Sequence, residues 1–208
     1  GDRFAKITDR FGARVHRLDI PWGEACSPDT LHRFLGDHSQ VKAVFLTHCE
    51  TSTGVLNPIR DLAKIVREHT DALVIVDGVS SLGGVPCKMD EWGIDILVTG
   101  SQKALMLPPG MAFVAVSPRA WDVIRQTEGP RFYLDLQIYH DQLKKETTPY
   151  TPGIAHLFGL EAVLDMIEEE GLESIFARHR LMMEMTRAGI RALGLKLLTE
   201  DAVASPTV

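Results

Sequence analysis

Two residues near the middle of the chain have the types and settings that chemistry needs. Asp77 closes a short apolar run, Leu73–Val76. Lys103 follows a second run, Ile94–Val98, after Thr99-Gly100-Ser101-Gln102. Both runs are short, rich in β-branched residues and closed by small or polar residues, the pattern of buried parallel strands. Open α/β sheets carry their functional groups at the carboxyl ends of such strands, so an acid and an amine are expected to face one crevice. A lysine amine can form a Schiff base with an aldehyde cofactor, and a nearby acid can keep a heterocyclic nitrogen protonated, so that the ring draws electrons from a carbanion. Taken alone, the pair is more plainly a salt bridge, or two solvated charges, with Asp77 a turn residue or a helix N-cap.

The elements that must position these residues follow from local patterns. Residues 2–11 carry Phe4, Ile7 and Phe11 at helical spacing, with Gly12 to end the helix. Ala13–Leu18 reads as a strand. Ser27-Pro28-Asp29 is a helix start, with a hydroxyl cap, a proline at the first position and an acid in the first turn. Strand, helix, strand recurs through 43–48, 58–69 and 72–77, a βαβ pattern that implies a parallel sheet. Met111–Val116 follows the Lys103 strand too closely for a helical crossover and is expected to run antiparallel to it. Ser117-Pro118 starts a helix through Ile124, and 127–152, with Pro130, Pro149 and Pro152, reads as irregular. Two long helices are expected over 153–170 and 172–193 around Gly171, and Leu195–Leu198 as a further strand.

Composition excludes several classes. The chain has 208 residues, 45% hydrophobic and 24% charged, with a formal net charge of -6, which suits an ordinary globular domain and gives no footprint for nucleic acid or an anionic membrane. No apolar stretch approaches the length of a membrane span, and the polar, charged opening is unlike a signal peptide. Cys26, Cys49 and Cys87 are odd in number and widely spaced, which argues against a disulfide framework and fits a reducing cytoplasm. The eight histidines show no metal-binding spacing, so no metal site is expected. The chain opens without methionine in what reads as mid-helix and stops at Ser205-Pro206-Thr207-Val208, and is expected to be an internal piece of a longer protein.

The residues around the acid and the lysine are more specific than the pair itself. VDGVSSLGG (76–84) followed by GIDILVTGSQKALMLPPG (93–110) closely resembles the class V aminotransferases of pyridoxal 5′-phosphate (PLP) fold type I, nearest their alanine–glyoxylate/serine–pyruvate branch. The resemblance extends through THCETSTGVLNP (47–58) and TPYTPGIAHLFGLEAVL (148–164). It implies an α/β, three-layer large domain with a mostly parallel sheet and the start of a small C-terminal domain. The expected division is 1–152 for the PLP-binding domain, 153–194 for linking helices and 195–208 for the start of the small domain.

By this resemblance Lys103 is the Schiff-base lysine and Asp77 the partner of the pyridine nitrogen. Val79 would pack on the ring, Gln102 would hold the phosphate, and Thr51 matches the position near the ring hydroxyl. Thr151 would reach the phosphate of a neighbouring subunit, so a homodimer with a shared active site is implied; its plainer role is to cap the helix that begins near Pro152. The implied reaction moves an amino group from alanine or serine to glyoxylate or pyruvate. Another class V activity (a phosphonate or ureidoglycine aminotransferase, or a cysteine desulfurase) and a non-catalytic relative are the alternatives. Cys49 reads as a packing residue rather than a desulfurase nucleophile, and Met182, Met183 and Met185 as packing residues. The family's N-terminal phosphate loop, its ring-stacking aromatic and its carboxylate-binding arginine lie outside these residues.

Overall fold

The computed structural model describes all 208 residues. In chain order the elements are α1 (Asp2–Arg10), α2 (Pro28–Gly36), β1 (Ala43–Thr47), β2 (Cys49–Glu50), β3 (Val55–Leu56), α3 (Ile59–His69), β4 (Leu73–Asp77), β5 (Ile96–Gly100), β6 (Ala112–Val116), α4 (Pro118–Gln126), α5 (Leu136–Leu143), α6 (Ile154–Glu170) and α7 (Leu172–Ala192). Four strands form the main sheet in the order β1-β4-β5-β6, and β2 and β3 make a small separate hairpin. The pairs β1–β4 and β4–β5 are parallel, while β6 runs antiparallel to β5, as its short connection required.

The two serine starts are built as their sequences dictate. Ser27 accepts a hydrogen bond from the Thr30 amide and Ser117 one from the Ala120 amide, both at 3.1 Å, and each is followed by proline at the first helical position.

The core lies on one face of the sheet. Leu46, Val74, Val76 and Leu97 alternate along their strands to point at α2 and α3, which supply Leu31, Leu35, Ile59, Leu62 and Val66. Each fully buried aliphatic side chain here contributes about 2 kcal/mol by leaving water. On the other face Phe45 stays partly exposed and stacks on Phe4 of α1, with ring centres 5.0 Å apart.

Asp95 ties the amino-terminal edge of the sheet together. It has no exposed surface, yet it pairs with Arg67 of α3 at 2.8 Å and with Arg119 of α4 at 3.1 Å, and accepts from the Val74 amide and the Ser117 hydroxyl. A buried carboxylate is tolerable only when its oxygens are filled in this way.

Three sequence expectations are corrected. Residues 13–18 form no strand, because no other strand lies beside them and an unpaired extended segment cannot form a ladder. Residues 127–152 are not wholly irregular: the Asp135 carboxylate accepts from the Gln137 amide at 3.0 Å and starts α5. Leu195–Leu198 is not a strand either. Leu195 and Leu198 are exposed, and the chain beyond them packs on the β2–β3 hairpin instead. There the Ser205 amide donates to Gly54 O at 2.8 Å, the Thr199 hydroxyl bonds Thr53 O, and Arg187 and Arg191 of α7 both hold Asp201 at 2.7 Å.

Candidate active site

Because β4 and β5 are parallel neighbours, Asp77 and the turn after Gly100 leave the sheet at the same edge. Asp77 sits opposite Thr47 on one side and Val98 on the other. Its Oδ1 accepts the Val79 amide at 2.9 Å, an Asx-type turn that bends the chain off the strand. Oδ2 has no partner in the chain, and the residue is only half-buried. The turn role and the chemical role thus fall on different oxygens of one carboxylate.

Lys103 rides on a loop pinned by Ser101, which has no exposed surface. The Ser101 hydroxyl donates to Pro108 O at 2.7 Å and accepts from the Met111 amide at 3.3 Å, while its backbone bonds Leu107 and Met111 at 3.0 Å. Between these fixed points the chain turns tightly, with the Met106 amide on Lys103 O at 2.8 Å and Met106 itself at φ 56°. A left-handed methionine is strained, and the strain sits three residues from the lysine. Lys103 Nζ makes no ion pair and no hydrogen bond. The side chain lines a cavity of about 250 Å³ together with Ser80, Ala104, Met106, His179 and Thr207. Gly84 is required beside it, since a Cβ there would come within 2.3 Å of a Thr207 methyl.

The remaining expected residues divide into two groups. Thr51, just after β2, bonds the Ser80 hydroxyl at 2.6 Å, which brings the 47–58 segment to the loop that follows Asp77. Val79 is half-buried in that loop. Gln102 is exposed, adjoins Lys103, and lies where a Cβ on Gly100 would come within 2.9 Å of its Oε1. Thr151 does not join them. It is exposed and makes no hydrogen bond, and α6 starts from Gly153 without a side-chain cap, so the capping role expected of Thr151 is absent.

Sequence reasoning missed Ser80, Ser101 and His48. The first two are small residues in loops, and only their burial distinguishes them from ordinary turn serines. His48 is buried against Trp92, with ring centres 6.1 Å apart, and its Nδ1 has no partner. Burial drops its pKa to about 4, so the ring is neutral. Cys49 is buried too, with its thiol donating to the Ser205 hydroxyl at 3.0 Å; burial raises its thiol pKa, and the hydrogen bonds it shares with Ser205 and Thr207 only partly offset this. A buried, protonated thiol is a poor nucleophile, in keeping with a packing role.

The family model for class-V aminotransferases matches residues 4–207. The chain belongs to that family. It is 46% identical over its whole length to a soluble hydrogenase small subunit of Synechococcus sp., of which it spans 55%. Across 94% of its length it is 39% identical to an L-aspartate–glyoxylate aminotransferase of Paracoccus denitrificans, of which it spans 50%. Among solved structures it is similar to an alanine–glyoxylate aminotransferase from Nostoc sp., with a TM-score of 0.93 at 31% identity, covering 99% of this chain and 55% of that one. The chain therefore spans about half the length of the curated relatives it matches.

Class-V aminotransferases are PLP-dependent enzymes of fold type I, and this chain has their α/β architecture with a mostly parallel sheet. The residues at the sheet edge fit the cofactor. A half-buried carboxylate with one free oxygen suits a cationic ring nitrogen, an unpaired lysine amine suits an aldehyde, and the paired hydroxyls of Thr51 and Ser80 suit a polar ring substituent.

Proposed function

We propose that the intact protein is an aminotransferase that moves an amino group from a small amino acid, alanine or serine, to glyoxylate or pyruvate. The observation that carries this reading is the Asp77 carboxylate, with Oδ2 free, at the end of β4, and the unpaired Lys103 on the loop that leaves the adjacent parallel strand β5 at the same edge. Relatives named for glyoxylate as amino acceptor support the choice of keto acid.

The cofactor, when bound, supplies an aldehyde for covalent attachment and an electron sink for the substrate α-carbon. The protein's own residues do the rest. Asp77 holds a proton on the ring nitrogen through its charge. Lys103 gives the attachment point and then moves the proton at the substrate α-carbon as base and acid. Val79 bears on the ring, Thr51 and Gln102 hold its polar substituents, and Thr151 serves the phosphate of a second copy across a homodimer. The division at 152 and 194 belongs to the same proposal, with residues 195–208 opening the small domain. A cytoplasmic setting suits the three unpaired cysteines; no helix is long and apolar enough to cross a membrane.

The test uses the full-length protein. It is incubated with PLP, its visible spectrum recorded, and the adduct reduced with borohydride and mapped. A label on Lys103, followed by turnover with alanine or serine in a donor panel that also holds aspartate, supports the reading, and turnover with aspartate alone overturns the choice of donor. No visible band, or a label on another lysine, overturns the whole reading. Ping-pong kinetics are expected, and converging double-reciprocal lines would count against the scheme.

A further inference from the structure

The contact between Thr51 and Ser80 has a direction, and the direction has a consequence for the bound cofactor. The two hydroxyl oxygens are 2.6 Å apart, and geometry alone lets either one donate. Their surroundings differ. Ser80 is buried at 6% exposure and its hydroxyl has no other hydrogen-bond partner, whereas Thr51 is exposed. A buried O–H with no acceptor is penalised by about 1–3 kcal/mol. The Ser80 proton is therefore spent on Thr51 Oγ1, and Thr51 keeps its own proton to offer outward.

Ser80 is also fixed from behind. Its carbonyl accepts the Thr207 hydroxyl, and the residue forms part of the wall of the Lys103 cavity. Its backbone is thereby tied to the C-terminal segment.

We infer that Ser80 is a positioning residue that sets Thr51 as a hydrogen-bond donor toward the ring oxygen of the cofactor. Chained hydroxyls polarise one another, so a Thr51 that accepts a hydrogen bond from Ser80 donates its own more strongly. A donor aimed at the ring oxygen favours its anionic form and lowers the pH at which that form appears. The inference rests on the proposed function, which puts Thr51 beside that oxygen.

The experiment is a pH titration of the visible band of the PLP-loaded full-length protein, in wild type, Ser80→Ala, Thr51→Ala and the double variant. Ser80→Ala is expected to move the midpoint upward by about half a unit or more. Thr51→Ala is expected to move it at least as far, and the double variant no further than Thr51→Ala alone, because Ser80 acts through Thr51. Ser80→Cys, which keeps the volume and exchanges a strong donor for a weak one, gives a smaller shift in the same direction and serves if the alanine variant folds poorly. An unchanged midpoint in Ser80→Ala or Ser80→Cys, or a full extra shift when Ser80→Ala is added to Thr51→Ala, overturns the inference. A wild-type protein with no band, or with its label away from Lys103, overturns the functional reading instead.

Discussion

Arg67 and Asp95 meet at 2.8 Å across the amino-terminal edge of the sheet, one arm of a guanidinium against a carboxylate that no water reaches. The same arginine donates twice to Gly93 O, at 3.1 and 2.8 Å, so α3 is fastened both to the start of β5 and to the loop before it. The contact lies at the opposite end of the strands from Asp77 and Lys103, which separates stability from chemistry along a single sheet.

Replacing Asp95 with alanine is therefore expected to weaken the fold while leaving the lysine edge chemically intact. The loss strands two arginines and the buried Val74 amide, at a penalty of about 3 kcal/mol. Arg67 and Arg119 are partly exposed and regain some water, which holds the figure below that for a fully buried pair. Denaturant melts of the full-length variant check this, together with the PLP spectrum of the fraction that remains folded.

Asp77→Asn separates the two duties of that residue. The amide oxygen can still accept the Val79 N–H, so the turn and the thermal midpoint are expected to persist. The charge is gone, and the half-reaction with an amino donor is expected to slow by roughly 10²-fold or more, on the scale of losing one electrostatic stabiliser. Single-turnover rates read beside a melting curve decide it. A variant that unfolds as it slows would place the carboxylate's importance in the turn.

Much of this arrangement was legible beforehand, and the misses have physical causes. The alternation of 43–48, 58–69 and 72–77 was enough for the parallel sheet, and the short link to 111–116 for its antiparallel edge, because strand direction follows from connection length. Asp77 and Lys103 stood out because each ends an apolar run. Asp95 did not, although it lies inside the run taken as Ile94–Val98. Its arginine partners are 28 and 24 residues away, and no local pattern reports a partner at that distance. Helix α5 was hidden among prolines and aromatics. The expected strand at 195–198 failed because an apolar segment becomes a strand only where another strand waits beside it.

His48 makes stability depend on acidity. Its pKa falls from 6.5 to about 4 on folding because burial disfavours the charged ring. Between those values the unfolded chain binds more protons than the folded one, so stability falls as pH drops through the window and is flat above 6.5. The full effect is about 3 kcal/mol. His48→Leu is expected to flatten the profile between pH 6.5 and 4, which denaturant melts at several pH values would show. An unaltered slope would place the sensitive group elsewhere.

Ser101→Ala should loosen the lysine loop rather than the core. It removes the bonds to Pro108 O and the Met111 amide, a loss of about 1–2 kcal/mol local to residues 101–111. Hydrogen exchange is expected to rise across that loop and to stay unchanged in β1 and β4. PLP uptake should weaken in parallel. Faster exchange throughout the sheet would mean that the serine supports the whole fold.

The bond between Cys49 and Ser205 joins residues 156 positions apart. A ribosome adding about 5–20 residues per second needs roughly 10–30 s to travel that far. Throughout that interval the hairpin that carries Thr51 lacks the contacts of residues 204–207, and the Cys49 thiol lacks its Ser205 and Thr207 partners. The newborn chain therefore passes through a period in which its most sheltered cysteine lacks that cover, and the period ends only when residues 199–208 have been made.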